Sequence, residues 1–134
     1  MYLISAYFDD TANRILQGYI DKIAAATGNT FMTQNHVPPH MTISSIEARK
    51  AEILVEPFES LQERIREGEI QISKYYQPLS WVPHVTVGKT LEKEQMRNAF
   101  EVMQESFVPF KAKVTEIGLA KVNPHEDLSR FKLQ

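Results

Sequence analysis

Two stretches decide how this chain reads: Pro39-His40-Met41-Thr42-Ile43 and, with its histidine 44 residues later, Pro83-His84-Val85-Thr86-Val87. Each is a proline followed by histidine, an apolar residue, threonine and a second apolar residue. Proline disfavours the α region for the residue before it, so the chain enters each tetrad extended. In an extended strand, residues two apart share a face. His40 and Thr42 are therefore expected to point one way, with Met41 and Ile43 pointing into the core. His84 and Thr86 should repeat this over Val85 and Val87. Either tetrad alone is a common pattern that carries little. Two in one chain, in the same local setting, are a signal.

The surroundings repeat as well. Tyr2 to Phe8 is aromatic and β-branched and reads as a strand. Asp9 or Asp10 then caps a helix whose Ala12, Ile15, Leu16, Tyr19, Ile20 and Ile23 fall at helical spacing, and Gly28 stops it. After the first tetrad, Ala51, Leu54, Phe58, Leu61 and Ile65 predict a second amphipathic helix, with Pro57 kinking it or opening a new one. A strand follows within 69–76, then a strand over 82–89. Thr90 is placed to cap a third helix with Met96, Ala99, Phe100, Met103 and Phe107 on its buried stripe. Phe110, Ala112 and Val114 alternate, and Ile117 and Leu119 continue in the opposite phase, so a bulge is expected near 116–118. A short closing strand covers 128–133. Ile70-Gln71-Ile72 and Val114-Thr115-Glu116 stand 30 residues after their respective histidines, which suggests two related lobes. The expectation is one α+β domain over 1–134: two pseudo-symmetric antiparallel lobes with outer helices around a central cleft.

Composition bounds the function. With 134 residues, 43% hydrophobic and 24% charged, the chain has ordinary globular values. It contains no cysteine, which excludes disulfides, thiolate metal sites and a thiol nucleophile. A net charge of −2 gives no basic excess of the kind that sequence-independent duplex binding uses. No apolar run approaches the roughly 20 residues of a membrane span, and Met1 to Ala6 lacks the basic start of a signal peptide. A cytoplasmic protein is the expectation.

If the two tetrads face each other, two imidazoles and two hydroxyls converge. That set suits in-line cleavage of a phosphodiester. One histidine takes a proton from the attacking oxygen and the other protonates the leaving oxygen, both with an ordinary pKa of about 6.5. His40 and His84 are thus the candidate acid and base. Thr42 and Thr86 are candidate donors to the phosphate oxygens.

The paired tetrads resemble the two signature motifs of the 2H phosphoesterase superfamily, which includes the 2′-5′ RNA ligase-like proteins and RNA 2′,3′-cyclic phosphodiesterases. The order of elements is similar over nearly the whole chain. The resemblance implies a bilobal fold and hydrolysis of a 2′,3′-cyclic phosphate or related nucleotide or RNA phosphodiester, without metal or cofactor. It also implies His40 as proton donor and His84 as acceptor. The expected substrate is an RNA end or a small cyclic nucleotide, and the expected state is a monomer. The alternative is a binding module of the same fold that holds a nucleotide or RNA without turnover.

Other residues carry weaker signals. Phe8, Tyr76 and Trp81 are candidates for stacking on a base, with core or loop packing open to each, and Tyr75 shares that ambiguity. His36 and His40 have the spacing of a helical metal pair, but Pro38 and Pro39 between them forbid the helix. No metal site is expected. His125 reads as an exposed turn residue. Lys89 has the opposite parity from His84, which argues against phosphate contact, and Lys121 reads as solvated.

Overall fold

The computed structural model describes residues 1–55 and 58–134. Five strands form one antiparallel sheet: β1 (Tyr2–Phe8), β2 (Met41–Ala48), β3 (Ile70–Ile72), β4 (Val114–Lys121) and β5 (Glu126–Lys132), in the order β3-β2-β1-β4-β5. Four helices accompany them: α1 (Asp10–Thr27), the one-turn α2 (Phe31–Gln34), α3 (Phe58–Arg66) and α4 (Lys93–Ser106). The class is α+β. Where two lobes suggest two sheets, the strands of the described residues belong to one. No helix among those residues is long and apolar enough to cross a membrane.

The α1 helix forms as its pattern dictates. Asp9 accepts from the Ala12 N–H at 3.0 Å and Gly28 closes the helix with φ +71°. Leu16, Tyr19, Ile20 and Ile23 are buried, and Tyr19 meets Phe107 and Phe110 ring to ring. Gln95 joins α4 to this frame, donating to the Thr27 carbonyl at 3.2 Å and accepting from the Glu92 N–H at 3.0 Å. The helix therefore starts past Glu92, and Thr90 is not its cap.

Several expectations need correction. The stripe of α4 is buried only at Ala99; Met96, Phe100 and Phe107 stay exposed. The helix expected over 51–65 is a 3₁₀ turn (Ala51–Val55) and then α3, and Pro57 lies outside the described residues. The strand expected over 69–76 is β3 followed by a 3₁₀ turn (Lys74–Tyr76). The 82–89 strand forms no ladder. It meets the sheet at one antiparallel bridge, Met41 to Val85. The bulge in β4 falls at Thr115, because Tyr7 pairs with Glu116 and Phe8 with Val114. One extra residue there accounts for the phase change seen in the sequence.

The 30-residue offset persists, since β3 opens at Ile70 and β4 at Val114. A second bulge matters for the site. Ile4 pairs with Ser44 but Ser5 with Thr42, so Ile43 is an extra residue in β2. Pairing partners share a face in an antiparallel sheet. Thr42 beside Ser5 and Ser45 beside Leu3 are thereby set on one side, although three residues apart.

Candidate functional site

On that side of the sheet lies a cavity of about 270 Å³. His40, Thr42, His84 and Thr86 all line it, together with Tyr76, Lys89, Asn123 and His125. The volume is just below the roughly 300–1,000 Å³ of pockets that enclose whole drug-sized ligands. It suits the end of a phosphate ester. A larger cavity of about 480 Å³, lined by Ile4, Ile46, Ile117 and Phe131, is almost wholly apolar and holds no titratable side chain. Size favours it, but chemistry favours the smaller one.

The two histidines are held alike. The Nδ1–H of His40 donates to the Pro38 carbonyl at 2.8 Å, and the Nδ1–H of His84 to the Val82 carbonyl at 2.8 Å. A carbonyl oxygen only accepts, so each bond puts a proton on Nδ1 and leaves Nε2 as the nitrogen open to proton exchange. In both cases the carbonyl is two residues back, next to the proline. The Pro-His pattern thus fixes a tautomer as well as an entry direction.

Their surroundings differ. His40 is 9% exposed, whereas His84 is exposed. Burial lowers the His40 pKa below its ordinary value. The Pro38 bond opposes this, and the charges of His125, His84 and Lys89 add to the lowering. The tetrads touch through their alternate residues at the Met41–Val85 bridge. Val85 and Val87 line an apolar pocket with Leu91, Ala99 and Met103, which turns the α4 stripe towards the second tetrad.

The other candidates fall out as follows. Tyr76 lines the cavity; Phe8 and Trp81 are not among its lining residues. Trp81 is instead an anchor, its Nε1–H donating to the Thr42 carbonyl at 3.0 Å. His36 lies outside the cavity lining, in a turn with φ +53°. Lys89 does line the cavity, and its Nζ sits 5.5 Å from the Phe31 ring centroid. Parity failed for Lys89 because the chain bends at Val87 and makes no ladder, so alternation does not apply.

His125 is the residue that sequence reasoning missed. Its side chain is 5% exposed, and its ring lies 5.8 Å from that of His40. Its Nε2 is 3.1 Å from Asp127 Oδ1, which also accepts from Tyr7 Oη at 3.3 Å, and Asp127 Oδ2 accepts from Arg130 Nε at 3.0 Å. Burial pushes the Asp127 carboxyl up, but the His125 bond and the Arg130 charge outweigh it and hold the group below the usual range. Tyr7, 6.3 Å from His40, is pushed up to about 12 by burial and the Asp127 charge. The available signal was Asn123-Pro124-His125-Glu126-Asp127, a turn rich in chemistry-bearing residues.

The sequence model of the 2′-5′ RNA ligase superfamily matches residues 51–126, more than half of the chain. The chain belongs to the 2′-5′ RNA ligase superfamily. The match takes in the second tetrad and the turn that carries His125. Neither a curated protein nor a solved structure matches the chain. Membership in this superfamily makes a phosphoester-processing, RNA-related enzyme the coarse functional class. Among the described residues, no group of three His, Asp or Glu side chains is arranged to hold a metal.

Proposed function

We propose that this protein hydrolyses a 2′,3′-cyclic phosphate, or a related nucleotide or RNA phosphodiester, with His40 and His84 as its acid–base pair. The observation that carries the reading is that both imidazoles and both threonine hydroxyls line one cavity of phosphate-ester size. The halves of the chain that bear the tetrads are then the walls of a single cleft, within one domain spanning 1–134.

In this mechanism Nε2 of His84 takes a proton from water as its oxygen attacks phosphorus. The P–O bond opposite the attacking oxygen breaks, and His40 Nε2–H delivers a proton to the freed ribose oxygen. Thr42 and Thr86 donate hydrogen bonds to the non-bridging oxygens as charge redistributes. The lowered pKa of His40 makes its charged form the stronger acid and also the scarcer one. An anionic phosphate in the cavity opposes burial and restores the imidazolium. Binding the substrate arms the acid.

The test is turnover by the purified protein on 2′,3′-cyclic mononucleotides, cyclic-phosphate-ended RNA and ADP-ribose cyclic phosphate. Release of a phosphomonoester that His40→Ala and His84→Ala abolish supports the reading. Tight binding with no turnover on any of them would make the protein a binding module.

A further inference from the structure

The phosphate-ester reading uses His40, Thr42, His84 and Thr86 and leaves His125 without a role. Yet His125 is firmly held. Its main-chain N–H donates to the Asn35 carbonyl at 2.8 Å, and its side chain is 5% exposed. Nε2 faces a carboxylate that two other donors, Tyr7 and Arg130, already anchor. Asp127 is ionised and can only accept, so the bond to it places the proton of His125 on Nε2. In the neutral imidazole, Nδ1 is then a bare lone pair. It is buried and has no hydrogen-bond partner among the described residues.

A buried acceptor without a donor costs free energy, and such exceptions call for a physical explanation. His125 lines the same cavity as the two tetrads, one ring away from His40. A donor brought in by the ligand, close to the group that His40 serves, would satisfy Nδ1. A phosphate oxygen that is not protonated offers no donor. The hydroxyl next to the phosphate on a ribose does.

We infer that His125 is a substrate-binding residue whose Nδ1 accepts a hydrogen bond from the ribose hydroxyl adjacent to the phosphate, with Asp127 as the positioning residue that fixes its tautomer. This rests on the proposed phosphate site. It specifies the ligand as a ribose phosphate with a free vicinal hydroxyl, the form in which opening of a 2′,3′-cyclic phosphate leaves its product. Asn123, in the same turn and lining the same cavity, completes the polar wall on that side. A site built to bond a hydroxyl discriminates strongly against the analogue that lacks it, because its own buried group is then unmet.

The experiment compares three ligands by calorimetry: inorganic phosphate, a nucleoside 2′- or 3′-monophosphate, and the counterpart of that nucleotide lacking the neighbouring hydroxyl. The wild-type protein should bind the hydroxyl-bearing nucleotide about tenfold more tightly than its deoxy counterpart. In His125→Phe, which keeps a ring beside His40 but has no acceptor, that ratio should fall to about one while inorganic phosphate still binds. The wild-type protein gives a second readout that does not depend on the variant folding. Long-range ¹⁵N–¹H spectra should show His125 as the Nε2–H tautomer, with its Nδ1 resonance moving on addition of the hydroxyl-bearing nucleotide and not of inorganic phosphate. Equal affinities for the nucleotide pair, a preference that survives in His125→Phe, or an Nδ1–H tautomer each overturn the inference. Phosphate binding that needs His40 but shows no hydroxyl preference sinks the His125 assignment alone. No binding of any of the three sinks the phosphate site and the His125 role together.

Discussion

The indole Nε1–H of Trp81 donates to the main-chain carbonyl of Thr42 at 3.0 Å, tying the segment that leads into the second tetrad to the strand that carries the first. With the Met41–Val85 bridge, it holds the two motifs in register where no ladder does so. Trp81→Phe keeps the ring and removes the donor, so it should cost about 1 kcal/mol in denaturant unfolding. It should also reduce kcat/KM several-fold, through the spacing between His40 and His84. An unchanged kcat/KM would show that the tetrads are aligned by other contacts.

Replacing either histidine by alanine should lower the rate by about 10²-fold to 10⁴-fold, the usual range for loss of a general acid or base. The double variant should lose less than the product, since the pair acts as a unit. A substrate whose leaving group needs no proton separates the roles. It should restore His40→Ala and leave His84→Ala inactive, and the reverse pattern would exchange the assignments.

The pH profile follows from burial. Burial lowers the His40 pKa most, and positive charge at the facing groups His125, His84 and Lys89 adds to the lowering. As proton donor it must be charged. kcat/KM should therefore fall as pH rises through the lowered value, which lies below the ordinary value of about 6.5. The His40 value read by NMR titration should coincide with this alkaline limb. Coincidence with the acid limb instead would make His40 the base.

Chelation is the simplest separation of mechanisms. If hydrogen bonds and imidazolium supply the charge stabilisation, activity should survive excess chelator. Loss of activity, restored by zinc or manganese, would move the protein among the metal hydrolases.

Gly118 provides a test of the sheet beneath the site. A Cβ there would lie 2.8 Å from Tyr7 Cε2, 3.0 Å from the Ser129 carbonyl oxygen and 3.2 Å from Arg130 Cγ. Arg130 already covers the Tyr7 ring, its Cζ 3.7 Å from the ring centroid, so the ring has little room to retreat. Gly118→Ala should destabilise the protein by about 1–3 kcal/mol, as overpacking does. A lower melting temperature by calorimetry is the expected reading.

Much of this was legible in the residues, for a reason that varies by element. α1 could be read nearly to the residue because cap, stripe and glycine stop are all local. The tetrad residues could be picked out because proline, alternation and repetition agreed. The 82–89 segment misled because its alternating pattern satisfies a strand, while ladder formation depends on which neighbour is free to pair. Lys89 was misplaced with it. The stripe of α4 looked buried because helical periodicity reports an apolar face and not what covers it; Phe100 is 64% exposed. His125 was invisible because its burial depends on Asn35, Tyr7, Asp127 and Arg130, which the fold gathers from three parts of the chain.

The spare residue at Ile43 makes one stretch of β2 indifferent to length. Ser5 would still pair with Thr42, and Ile4 with Ser44, if Ile43 were excised, so every side chain on both flanks would keep its face. Loss of Met41 has no such refuge, because it drags His40 to the wrong side of the sheet. Deletions at neighbouring positions in this stretch are therefore not equivalent. Related chains are free to lose the residue just after the first threonine, while the two positions before it are held to a fixed count by the face that His40 presents.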